Sequence, residues 1–125
     1  MKRQYKKFFE KDNNFELLEM ANLHPVDTGF DSGILYVSTK QGHHGPRVKF
    51  FRNRAGEGNP SASISISSNP EVKEDSIKIT KSEINKVSAF IILNYKELLR
   101  FWKEGNSWSR QEVNAFFDNL KKVSM

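Results

Sequence analysis

The chain has 125 residues, enough for one domain with a core of its own. It contains no cysteine, which excludes disulfides, thiolate metal sites and cysteine nucleophiles. Ten Phe, three Tyr and two Trp argue against disorder along the whole length. The formal net charge is +5, and the window 32–56 alone holds Lys40, Arg47, Lys49, Arg52 and Arg54 with no Asp or Glu, so the excess positive charge is local in sequence.

The start, "MKRQYKKFFEKDNN", is basic, but Glu10, Lys11 and Asp12 follow in place of the apolar run that a secretory signal needs. The longest apolar stretch, "AFIILNY", is too short for a membrane span. These features predict a cytoplasmic protein with no membrane partner. Residues 1–14 are expected to form a polar segment, frayed or briefly helical, ahead of a single α+β domain over 15–125. "FELLEMANL" places Phe15, Leu18 and Ala21 at helical spacing and predicts an N-terminal helix, stopped by Pro25 and the turn glycines Gly29 and Gly33.

"ILYVS" is β-branched and aromatic and predicts a first strand. "QGHHGP" connects it to "RVKFFR", a second strand in which Val48 and Phe50 face one way and Arg47, Lys49 and Phe51 the other. "NRAGEGNPS" reads as a loop, "ASISISS" as a third strand, "NPEVKED" as a turn and "SIKIT" as a short fourth strand. Thr80 and Glu83 form a capping box, and Ile84, Val87, Ile91, Leu98 and Trp102 mark a helical stripe running to Gly105. Ser109 and Glu112 repeat the capping box for a last helix with Val113, Phe116 and Leu120 on one face. The expected architecture is an antiparallel four-stranded meander with an N-terminal helix and two C-terminal helices packed on one face.

The adjacent His43 and His44 invite a metal reading. With no cysteine and no H-x-x-x-H spacing, a third ligand such as His24 or a carboxylate would have to be brought from elsewhere in the chain, so neither a metal nor a cofactor is expected. The glycines around them fit no phosphate-binding loop. A histidine acting as general acid or base on a phosphodiester beside Arg47 would make a ribonuclease, a third-ranked alternative.

The basic window is the main functional signal. Lys40, His43, His44, Arg47, Lys49, Arg52 and Arg54 can meet a polyanion, with Phe51 or Tyr36 available to stack. The alternative is a solvated strand face that discourages edge pairing. Trp108, in the link between two helices, is a candidate partner contact.

The segments "FELLEMANLHPVDTG", "ILYVS", "HGPRVKF" and "LNYKELLRFW" resemble a group of small bacterial proteins that carry a "TG" turn, a "GPRVKV"-like strand and a closing N-x-x-x-L-L-x-x-W helix. The closing helix is also similar to a domain of unknown function found near toxin–antitoxin-like operons. The resemblance implies an α+β fold and a bacterial or mobile-element setting, and assigns no activity and no site residue. The sequence therefore predicts a small non-enzymatic binding module whose basic β-hairpin docks a nucleic acid or an acidic protein surface. The second expectation is an antitoxin or a phage-encoded inhibitor acting through aromatic and shape contacts.

Overall fold

A computed structural model describes residues 4–7, 19–40, 44–56 and 58–124. The element order is β1 (Gln4–Lys7), β2 (Glu19–Leu23), α1 (Pro25–Thr28), β3 (Ile34–Ser38), β4 (Arg47–Phe51), β5 (Ala62–Ser65), β6 (Val72–Asp75), α2 (Lys81–Leu93), α3 (Tyr95–Glu104), a 3-10 turn (Gly105–Ser107) and α4 (Arg110–Asn119). The strands form one six-stranded sheet in sequence order, every neighbouring pair antiparallel. The chain is thus α+β and built on an antiparallel meander, as the run of short strands before helices predicts.

Alternation decides which face is core. Leu23, Leu35, Phe50 and Ala62 stand opposite one another across four strands, and all are buried. They join Val87, Phe90 and Ile91 of α2, Leu98 and Phe101 of α3, and Val113, Phe116 and Phe117 of α4, either within one apolar cluster or, for Ala62, at its margin. The opposite face carries a second row in register, Asn22–Tyr36–Lys49–Ser63–Glu74.

Four expectations need correction. The predicted N-terminal helix is not present at its C-terminal end: Glu19–Leu23 is a strand, and Phe15–Leu18 lie outside the described residues. Ala21 and Leu23 are buried at a spacing of two, the period of a strand, whereas the helix expectation rested on Ala21 falling three residues after Leu18. Within the polar segment 1–14, Gln4–Lys7 is β1 and the remainder lies outside the described residues.

The fourth predicted strand is displaced. "VKED", read as a turn, is β6, whereas "SIKIT" leaves the sheet. The Asp75 carboxylate accepts the backbone N–H groups of Ile77 and Ile79 at 3.0 Å each, which turns the chain toward α2. Ile77 and Ile79 then pack on the core as half-buried side chains. Finally, the stripe from Thr80 to Gly105 is two helices, broken at Asn94.

Both capping boxes form as expected. Thr80 Oγ1 accepts the Glu83 N–H at 3.1 Å and Glu83 Oε1 accepts the Thr80 N–H at 2.9 Å; Ser109 and Glu112 do the same at 3.1 and 2.7 Å. Gly33, at φ +96°, sits against the Phe50 ring, where an added Cβ would lie 2.4 Å from Cε1. Its missing side chain is what lets the turn before β3 close over the core.

Candidate nucleic-acid or protein interface

The basic window folds into the β3–β4 hairpin, but its residues do not share one fate. Lys40 is exposed at the end of β3, and its backbone N–H donates to the Trp102 carbonyl at 2.7 Å, fastening that end of the hairpin to α3. Residues 41–43, including His43, lie outside the described residues, and His44 is exposed. Lys49 is exposed in mid-strand, its ammonium 6.0 Å from the centre of the Tyr36 ring on the neighbouring strand. Arg54 is exposed in the loop after β4. None of Lys40, His44, Lys49 and Arg54 has a carboxylate partner among the described residues.

Arg52 belongs elsewhere. Its Nε and Nη2 donate to Glu83 Oε2 and Oε1, both at 2.8 Å, so the fork of donors is taken by the first turn of α2. That bidentate bond is the main reason the Glu83 carboxyl titrates down at about 2. Arg52 therefore fastens the sheet to the helix through these donors. Phe51 also departs from expectation: it is 4% exposed and offers no ring for stacking. It lies on the opposite face from Phe50, as alternation requires, and that position is covered too.

Trp108 is corrected in the same way. It is buried, with its ring centroid 6.0 Å from those of Phe101 and Phe116, and the Arg100 guanidinium lies 5.0 Å from its ring. The link between α3 and α4 folds it inward to close an aromatic cluster in which Phe101 and Phe116 stack at 4.5 Å.

Arg47 behaves differently from both Arg52 and the exposed cations. Its side chain is 22% exposed, and its nearest carboxylate, that of Glu74, is 3.7 Å away. It lines a shallow groove of about 530 Å³ together with Gly45, Pro46, Ser65, Ile66, Ser67, Asn69, Glu71 and Lys73, so a carboxylate stands beside the two cations. The groove exists because the Pro46 carbonyl accepts the Ile66 N–H and the Glu71 carbonyl accepts the Ser65 N–H, which holds the ends of β4, β5 and β6 side by side. Ser65, Lys73 and Glu71 carry no motif in sequence; only the register of β4 with β5 brings Ser65 opposite Arg47.

Among the described residues, no three His, Asp or Glu side chains are grouped so as to hold a metal ion. No helix there is long and apolar enough to cross a membrane. Comparison with family models, with curated proteins and with solved structures finds no match.

Proposed function

We propose that the chain is a binding module that docks an acidic protein surface through the β3–β4 hairpin and the sheet face opposite the core. The observation that carries this reading is the split among the cations. Arg52 and Lys86 are engaged by carboxylates at 2.8 and 2.9 Å, whereas the exposed Lys40, Lys49 and Arg54 have no carboxylate partner among the described residues. Cations left uncompensated while their neighbours are neutralised raise the local potential and steer an anionic partner.

An acidic protein is favoured over single-stranded nucleic acid because stacking needs open aromatic faces. With Phe51 buried, Tyr36 is the one half-exposed aromatic in the strands of the hairpin, and the Lys49 ammonium lies near its ring.

The test is affinity capture from bacterial lysate, with and without nuclease, using the native chain and a triple variant Lys40→Glu, Lys49→Glu, Arg54→Glu. The reading expects one protein retained by the native chain, insensitive to nuclease, weakened by salt and lost from the variant. Retained material that disappears with nuclease would replace the protein partner with a nucleic acid. Capture that survives charge reversal would overturn electrostatic docking altogether.

A further inference from the structure

Four large apolar side chains are exposed among the described residues, and three of them gather at one corner of the helix layer. Ile92 and Leu93, 55% and 45% exposed, end α2, and Val26, 42% exposed, lies in α1. The strap after α4 joins the two places. Lys121 is bonded to the side chain of Asn94, next to Leu93, and the Val123 N–H donates to the Thr28 carbonyl at the end of α1. Single exposed aliphatics are ordinary on a protein surface, whereas a cluster of them marks a contact site.

Lysines surround the cluster. Lys121 and Lys122 are exposed on the strap, and the Lys122 Cβ lies 3.1 Å from where a Cβ on Gly29 would stand. Lys96 is exposed four residues after Ile92 and on the same face, because the helical ladder continues through Asn94: its N–H donates to the Phe90 carbonyl and its carbonyl accepts the Leu98 N–H. None of these three lysines has a carboxylate partner among the described residues. The acids nearby are engaged by other groups. Glu97 lies 3.5 Å from Arg100, Asp31 holds Lys86 at 2.9 Å, Asp27 is buried and accepts the His24 N–H, and Asp118 has a contact of its own.

We propose that this corner is a peripheral docking site for an anionic lipid surface. Ile92 and Leu93 enter the headgroup layer while Lys96, Lys121 and Lys122 meet the lipid phosphates. The expectation of no membrane partner rested on the lack of a spanning segment, and a surface contact needs none. The aliphatics project from a helix end, and a soft lipid layer takes in projecting side chains without a matching pocket. A second copy of the chain would set these lysines against themselves. The corner stands at the start of α3, whereas the β3–β4 hairpin is fastened near the other end of that helix, at Trp102, so the inference is independent of the docking reading above.

The experiment is cosedimentation of the native chain with vesicles of phosphatidylcholine alone and of phosphatidylcholine with about a third phosphatidylserine, at low and high salt. Retention is expected on the anionic vesicles at low salt and far less on the neutral ones. Ile92→Gln with Leu93→Gln is expected to weaken partitioning about tenfold. Lys96→Gln, Lys121→Gln and Lys122→Gln together are expected to weaken it about a hundredfold. Lys49→Gln with Arg54→Gln, in the hairpin, is expected to partition nearly as the native chain does. Thermal melts check that the variants, all at exposed positions, keep their fold. A native chain that ignores anionic vesicles at low salt would overturn the proposal. Partitioning that survives the loss of Ile92 and Leu93 but falls with the hairpin charges would reduce it to general attraction by a basic protein and overturn the site. A protein held from lysate through Ile92 and Leu93, with vesicles ignored, would replace the lipid with a protein partner.

Discussion

Arg52 and Glu83 join the end of the sheet to the start of a helix. Two parallel bonds of 2.8 Å link the guanidinium to a carboxylate that also caps α2 by accepting the Thr80 N–H. The carboxyl is held at about 2, below its ordinary 4.5. A group depressed in the folded state contributes stability that is complete above its unfolded value and is lost as pH falls through the folded one. Urea denaturation between pH 5 and pH 2 is therefore expected to show stability falling with acid, and Glu83→Gln is expected to flatten part of that fall. At neutral pH, Arg52→Met should lower the urea midpoint only slightly, since the arginine end is open to solvent and screened. A Glu83→Gln chain with the native pH profile would sink this account.

Asn94 is the second fastening. It is 3% exposed at the break between α2 and α3. Its Nδ2 donates to the Phe90 and Lys121 carbonyls at 3.0 and 2.9 Å, and its Oδ1 accepts the Lys121 N–H at 2.7 Å. Two residues on, the Val123 N–H donates to the Thr28 carbonyl at 2.8 Å, so the segment after α4 is strapped across the turn following α1. Asn94→Ala should cost about 2–4 kcal/mol, because it strips buried groups of their partners. Hydrogen exchange at the Lys121 amide should accelerate by more than global unfolding explains; an unchanged Lys121 protection factor would contradict the strap.

That strap marks where reading the sequence stops. The period-two runs at 34–38, 47–51 and 62–65 gave three strands, and the S/T-x-x-E boxes gave two helix starts, because those signals are local. "ANL" and "VKED" carry no such signal. The first is too short to show a period, and its Ala21 also falls at helical spacing from Leu18; the second is a fully exposed edge strand with nothing apolar to alternate except Val72. The basic window was visible as composition, but its division was not. Arg52 is consumed by a residue 31 positions away, and Arg47 stands in a groove whose other wall comes from β5 and β6. Such pairings are set by sheet register and helix packing, which no short motif records.

Thr39 offers a stabilising change. It is fully buried beyond β3, and its Oγ1 has no hydrogen-bond partner among the described residues. Its Cγ2 lies against Gly105, where an added Cβ would sit 2.8 Å from it, so the methyl is already packed. Thr39→Val keeps that shape and removes a desolvated hydroxyl. It should raise stability by about 1 kcal/mol, seen as a higher urea midpoint with an unchanged slope. A lower midpoint would mean that the hydroxyl is satisfied.

Lys49 and Arg52 are three residues apart and equal in charge, yet the structure separates their roles. Lys49 stands exposed between Tyr36 and Ser63 with no carboxylate partner among the described residues, whereas Arg52 is bound to Glu83. Lys49→Glu should leave stability within about 0.5 kcal/mol of native, since it breaks no bond that holds the fold. It should slow association with hexaglutamate and flatten the salt dependence of the rate, because steering is what an exposed cation provides. Arg52→Glu should do the reverse. Placing a second carboxylate beside Glu83 should lower stability by about 1–2 kcal/mol while the residual folded protein binds nearly as before. Stopped-flow binding and urea denaturation on the same two variants decide the matter. If Arg52→Glu lost binding at full stability, or Lys49→Glu lost stability at full binding, the assignment of the two residues would have to be exchanged.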